Sequence, residues 1–395
     1  MYYQKIQATQ LFTGDEMLGS NHVLIIDATG KIEAIVAQAE AGDDIQQFNG
    51  IITPGFINAH CHLELSHMKG LIPEKTGLVD FILKIVYERH FPDEQIVDAI
   101  EKAEDEMLQN GIVAVGDICN NTSTLPQKLK NRLDYYNFVE VSGWTPAIAA
   151  SRFEKSVEIL LQFKIQNSKF KISIVPHAPY SVSNELWDMI IPNFPEQSIS
   201  IHNQETDFED AFFLTGTGDF NRLYGTMNID TSFFQPTRKS SLQSYFQKLK
   251  AAKNILLVHN TFTSNSDLSY LSSETSSVSS NIYYCLCINA NRYIENALPP
   301  VELIRKQKGK IVIGTDSLAS NWSLNILDEL KTLTLHFPEI ALSELLQWAT
   351  LNGAKALQMD ETLGSFEKGK TPGVLVIEQL ENGQITEESK VKRLI

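Results

Sequence analysis

Apolar and polar positions alternate in two registers along this chain. Between about residues 51 and 313, short apolar runs of strand length recur at 51–59, 112–117, 136–141, 170–175, 198–201, 255–258, 282–288 and 310–313. The stretches separating them space their apolar residues as helices do. The clearest is 92–109, where Ile96, Ile100, Ala103 and Met107 form one stripe and Gly111 lies just past the end. Eight strand-and-helix repeats predict an α/β fold of the closed (β/α)8, or TIM barrel, kind rather than an open sheet. The longest connection, 203–253, runs from Phe212-Phe213 to Phe233-Phe234 and predicts a helix plus a loop able to cover a site.

The two ends read differently. His22–Asp27, a polar turn, and Ile32–Val36 form a predicted hairpin, and Gly373–Ile377 is the clearest strand near the C-terminus. Neither end is long enough to fold alone, so both are expected in one small β domain. The boundaries that follow are 1–52 with 363–395 for that domain and 53–362 for the barrel.

Composition narrows the function. The chain has 395 residues, 43% of them hydrophobic, enough for a sizeable core. A net charge of −15 without a Lys/Arg-rich patch argues against a nucleic-acid partner. No 18-residue apolar window exists, so no membrane span is expected, and the first residues lack an apolar leader segment. Cys61, Cys119, Cys285 and Cys287 sit in apolar runs without Cys-x-x-Cys spacing, which reads as reduced core thiols of a cytoplasmic protein. Cys285 and Cys287 share a strand face, so a metal role for them stays open.

Chemistry collects where the strands end. The first run finishes in His60-Cys-His62, and alternation puts both imidazoles on one face. Such a pair can chelate a metal ion, or simply be polar where a strand surfaces. The other ends carry His177, His202 with Glu205, His259 and, after Gly314-Thr, Asp316. Singly, each has a plainer reading: a hydrogen-bonded histidine, a turn aspartate, a solvated acid at a helix start. Five of nine histidines at the same rim is a stronger observation than any of them alone. His22, His67, His90 and His336 lie elsewhere and receive no role.

At these residues the chain resembles the amidohydrolase superfamily, in its chlorohydrolase/aminohydrolase branch of deaminases. The matching pieces are Pro54-Gly-Phe-Ile-Asn-Ala-His60-Cys-His62, Pro176-His177-Ala-Pro-Tyr180, His202-Asn-Gln-Glu205, Val258-His259-Asn260, Gly314-Thr-Asp316-Ser-Leu-Ala-Ser-Asn321, Ala349-Thr-Leu-Asn352 and Leu363-Gly-Ser-Phe-Glu367. The resemblance implies a distorted barrel with a small β-sandwich built from both termini. It implies His60, His62, His202 and Asp316 as metal ligands, Glu205 and His259 as the proton-handling pair with Asp316 assisting, and His177 as a substrate contact. Trp144 and Asn291 are added as pocket candidates at strand ends, with core packing the other reading for Trp144. The chain departs from the branch at Cys287-Ile-Asn-Ala-Asn291 and at Thr371-Pro-Gly-Val-Leu375. Binuclear relatives bridge two metals with a carboxylated lysine at a mid-barrel strand end; Val141-Ser-Gly-Trp144 and Val175-Pro-His177 offer none, so one ion is expected.

Three imidazoles and a carboxylate suit Zn2+, with Fe2+ compatible. The expected activity is hydrolytic deamination of an amino-substituted N-heterocycle: a purine, nucleoside, pterin or triazine. The stretch from Asn58 to Ser66 is also similar to aminodeoxyfutalosine deaminases, and hydrolysis of a ring C–N or a C–Cl bond is the competing chemistry. A homodimer is compatible with the resemblance.

Overall fold

The structure, a computed structural model, describes residues 3–275 and 281–395; Met1 and Tyr2, which open the expected N-terminal β stretch, lie outside them. The strands are β1 (Tyr3–Phe12), β2 (Met17–Gly19), β3 (His22–Asp27), β4 (Ile32–Ala37), β5 (Ile45–Pro54), β6 (Phe56–Cys61), β7 (Ile112–Cys119), β8 (Asp134–Val141), β9 (Lys171–Pro176), β10 (Ser198–Asn203), β11 (Asn254–His259), β12 (Asn281–Leu286), β13 (Lys310–Ile313), β14 (Val374–Glu378) and β15 (Lys390–Arg393).

Strands from both ends share one mixed seven-stranded sheet, ordered β15-β14-β5-β1-β3-β4 with β2 on β1. The expected hairpin is β3 with β4, its turn held by Asp27, whose Oδ1 accepts the Thr29 and Lys31 N–H groups at 2.8 and 3.0 Å. The C-terminal strand joins through β14, which pairs antiparallel with β5 from Val374↔Pro54 to Ile377↔Ile51. Ile6, Leu24, Ile26, Ile52 and Val374 are buried together beneath this sheet, each adding about 1.5–3 kcal/mol of apolar burial.

The central strands form two parallel four-stranded sheets, β6-β7-β8-β9 and β10-β11-β12-β13. Hydrogen bonds cross both seams. The His202 N–H donates to the His177 carbonyl at 3.0 Å, and the Thr315 and Asp316 N–H groups donate to the His60 carbonyl at 3.0 and 3.1 Å. The second seam also carries a parallel bridge between Cys61 and Asp316. The helix at Asp93–Gln109 buries Ile100, Ala103 and Met107, as its stripe predicts.

The run 51–59, read as one strand, is two strands in two sheets. Gly55 is the break: its N–H donates to the Pro372 carbonyl at 3.0 Å, and the next N–H, of Phe56, donates to the Gly111 carbonyl at 2.9 Å. A Cβ on Gly55 would lie 2.3 Å from Val113 Cγ1 and 2.7 Å from the Pro372 oxygen, so only glycine lets the chain cross between the sheets there. The seventh run also ends early. β12 stops at Leu286, and a helix at Ile288–Ile294 follows, which moves Asn291 off the strand end and onto that helix.

The 203–253 connection contains helices at Phe208–Thr215, Phe220–Thr226 and Ser241–Tyr245. Phe212, Phe220 and Tyr224 pack from it against Trp144 and Tyr180 as a separate apolar cluster. Among the described residues, no helix is long and apolar enough to cross a membrane.

Candidate functional site

His60 and His62 leave the end of β6 on one side, as strand alternation requires, and both are buried. They meet Asp316, which follows β13. The Asp316 Oδ1 lies 3.6 Å from His60 Nε2 and 3.4 Å from His62 Nε2. From β10, His202 brings its Nε2 to 3.4 Å from His62 Nε2. One ligand atom each from His60, His202, His259 and Asp316 lies within 4.8 Å of the others, a grouping that could hold a metal ion.

Hydrogen bonds fix which nitrogen faces that centre. His202 Nδ1 donates to the His177 carbonyl at 2.8 Å, leaving Nε2 as the inward lone pair. His259 Nδ1 donates to Asn291 Oδ1 at 2.8 Å, and the Asn291 amide returns a bond to the His259 carbonyl at 3.3 Å. His60 Nε2 and His259 Nε2 are buried with no partner, a costly state for a polar atom unless something else binds there. Burial pushes His62 down to about 3, His177 to about 4, and His202 and His259 below the ordinary histidine range. Burial also works to raise the Asp316 carboxyl, but the imidazoles grouped around it, with His60 and His62 within 3.6 Å, override it and hold it well below the usual range. Neutral imidazoles around one carboxylate are the donor set a borderline-soft divalent ion takes, so the residues fit such an ion.

Glu205 stands beside this group. Its Oε1 lies 3.6 Å from His259 Nε2, and burial, reinforced by the charges of Asp316, Glu295 and Glu140, pushes its carboxyl well up. It occupies the bend between β10 and the helix at Phe208, not the helix start that the sequence suggested. The site's backbone is unusual. Gln204, His259, Asn260 and Asp316 all have left-handed φ values, of 46°, 73°, 58° and 59°. Such residues cost roughly 1–3 kcal/mol each and persist where the surroundings over-determine them. Here the determinants are on either side: Asn203 Nδ2 donates to Asn260 Oδ1 at 3.0 Å, and Asn58 both donates to Thr315 Oγ1 at 2.7 Å and accepts the Thr315 N–H at 3.1 Å.

A cavity of about 410 Å3 opens over the group, lined by His62, His177, His202, Glu205, His259 and Asp316 at its floor. Leu223, Tyr224, Met227 and Ile229 of the 203–253 connection form part of its wall, with Phe81, Ile82 and Ile85 from the helix at Leu78–Glu88. Trp144 also lines it, in an extended segment past β8, its ring stacked on Tyr224 at 5.5 Å and close to Phe212 and Phe234. Asn291 does not line the cavity; both its amide atoms are spent on His259. The four cysteines are buried free thiols, and no metal-competent group among the described residues includes one.

Two acids at the site escaped the sequence reading. Glu140, near the end of β8, sits 3.7 Å from His202 Nδ1 and accepts from the Asn120 amide at 3.1 Å. Glu64 accepts the Asn120 backbone N–H at 3.0 Å, and burial raises both carboxyls to about 7. The available signal was a lone carboxylate inside each apolar stretch, where a charge is expensive unless it has work to do.

The chain is similar to known deaminases. The chain is 27% identical over 331 residues to the adenosine deaminase of Helicobacter pylori, covering 82% of this chain and 77% of that one. It is 25% identical over 363 residues to the aminodeoxyfutalosine deaminase of Nitratiruptor sp., covering 89% and 85%. The solved structure of Helicobacter pylori aminofutalosine deaminase with methylthio-coformycin superposes with a TM-score of 0.77 at 24% identity, over 99% of this chain and all of that one. A model of the amidohydrolase family matches residues 51–392, a span that runs from the strand before His60 to beyond Asp316 and holds every converging side chain; the chain belongs to the amidohydrolase family.

Proposed function

We propose that this chain is a metal-dependent hydrolytic deaminase that removes the exocyclic amine of an N-heterocycle of the adenine-nucleoside type. The observation that carries the reading is the convergence of His60, His202, His259 and Asp316 beside Glu205, with all but the fully buried His60 lining one cavity. The deaminase relatives support it. A cavity of about 410 Å3 is within the size range of small-molecule sites. The fold reading that goes with it is a distorted (β/α)8 barrel, closed across the seams at His177/His202 and His60/Asp316, over residues 53–362. Residues 1–52 and 363–395 make the small β unit.

His60, His62, His202 and Asp316 would hold one divalent ion, zinc in preference to iron, and when bound it supplies Lewis acidity that lowers the pKa of a coordinated water to about 7. The chain's own groups do the rest. Glu205 carries a proton from the attacking water to the ring nitrogen beside the amine. Burial holds its carboxyl well above the usual carboxylate range, the direction that suits a group which must take up a proton and hand it on. His259, held in one tautomer by Asn291, turns Nε2 toward the same space and orients the water. Asp316, kept ionised, accepts the second water proton and passes it to the departing ammonia. His177 and Trp144 line the same cavity and would contact the heterocycle there.

Ammonia is the discriminating product. The purified protein, assayed with adenine nucleosides, pterins, and amino- and chloro-triazines, should release ammonia from a nucleoside in step with substrate loss. Release of chloride, or ring opening without ammonia, would replace deamination with the competing hydrolysis.

A further inference from the structure

Behind Glu205 lies a second polar cluster that touches no substrate space. Glu209, fully buried, aims its carboxylate back at the bend that presents Glu205. Its Oε1 accepts the Gln204 N–H at 3.1 Å and the Ser241 hydroxyl at 2.6 Å, and its Oε2 accepts the Glu205 N–H at 3.3 Å. Two successive backbone N–H groups therefore point at one carboxylate. The bend needs that, because Gln204 sits at a left-handed φ of 46°. The Gln204 side chain closes the other side. Its amide donates to Asp210 Oδ1 at 3.1 Å and to Asp267 Oδ2 at 2.9 Å. Asp210 also accepts the Ser241 N–H at 2.8 Å, and Asp267 accepts from Gln243 at 3.0 Å, from Ser264 at 2.7 Å and from Ser240.

Every oxygen of these three acids has a donor, so the cluster is not an empty cation site. It is a clamp. It joins the bend after β10 to the helix at Ser241–Tyr245 and to the helix at Asn265–Thr275. Nothing in it requires the metal centre, and nothing in the metal centre requires it, except through Glu205.

We propose that Glu209 is the positioning residue for Glu205, fixing the bend so that the Glu205 carboxyl stays beside His259, and that Ser241 of the 203–253 connection holds Glu209 in place. The inference rests on Glu205 as the proton carrier of the reading above. Proton transfer is steeply sensitive to placement, and a shift of about 1 Å can cost roughly 10²-fold. Glu209→Gln keeps the size but turns an amide NH2 toward groups that are themselves donors, so the bend loses one of its acceptors.

The test compares Glu209→Gln, Ser241→Ala and Glu205→Gln, each metal-loaded, for metal content, thermal midpoint, KM and kcat. Glu209→Gln should keep its metal and its KM while kcat falls by about 10²-fold, and Ser241→Ala should show the same split, smaller. A merely structural loss would instead lower the midpoint and active fraction and leave kcat per metal-loaded site unchanged. Wild-type kcat in folded, metal-loaded Glu209→Gln overturns the assignment. Should that variant not fold, Ser241→Ala decides: an unchanged kcat overturns it, and a lowered kcat at constant KM supports it. Near-full activity in Glu205→Gln would instead remove the proton carrier itself, a different failure from an intact Glu209→Gln.

Discussion

At the residue scale, the division of labour between Glu205 and the histidines is open to direct test. Glu205→Gln preserves shape and hydrogen-bonding capacity while removing the titratable group. The variant should bind metal normally, yet turn over at least roughly 10²-fold more slowly. His202→Ala should lose metal affinity instead, because it deletes an inward-facing Nε2. Metal analysis with kcat on both proteins separates the two effects; a metal-free Glu205→Gln protein would make Glu205 a ligand. Asn291 shows where residue-level reading stopped. Its number in the chain suggested a pocket wall, but its amide grips His259, a partner 32 residues earlier that no local pattern could supply.

At the element scale, strand ends and the helices behind them carry the constraints. Gly314 directly follows β13, two residues ahead of Asp316. A Cβ there would lie 2.9 Å from each of Cys285 Sγ, Cys287 Sγ and His60 Cβ. Gly314→Ala must therefore push on the strand that presents His60. It should lower metal affinity as well as stability; a competition titration against a chelator that returned wild-type affinity would refute the coupling. The helix at Ile326–His336 holds a buried acid, Glu329, which accepts the Asn289 N–H at 3.0 Å and the Asn321 amide at 2.9 Å. Burial raises its carboxyl to about 8 from an ordinary value of 4.5. The folded chain thus binds this proton more tightly than the unfolded one. Its contribution to stability is complete below about pH 4.5 and is lost as pH rises through about 8, at up to about 1.4 kcal/mol per pH unit. Urea unfolding at pH 5 and pH 8 should show a flatter pH dependence for Glu329→Gln than for wild type, and equal slopes would count against it.

At the scale of the whole molecule, the site is a meeting point of both parallel sheets. β6, β10, β11 and the segment after β13 each deliver one part, so a bound ion ties the two sheets together. Anything that binds only the folded state stabilises it, by about 2.7 kcal/mol when free ligand is about 100 times Kd. Chelator-treated protein should accordingly melt lower, recover on adding zinc, and saturate near one ion per chain. A midpoint indifferent to metal, or saturation at two ions, would contradict the mononuclear reading.

The sequence by itself determined the alternation of strands and helices, the rim of strand ends, and the side chains placed there. Those follow from local rules: alternation carried from β6 into the residue just past it puts His60 and His62 on one side, and helical spacing buries Ile100, Ala103 and Met107. Tertiary structure decided what local rules do not contain. It split 51–59 between two sheets, because Gly55 is squeezed against Val113 and Pro372, residues distant in the chain. It brought Glu140 and Glu64 to the cavity through Asn120, and it set Glu209 behind Glu205. These are hydrogen bonds and close approaches between segments far apart in sequence, and their energy exists only once the sheets are assembled.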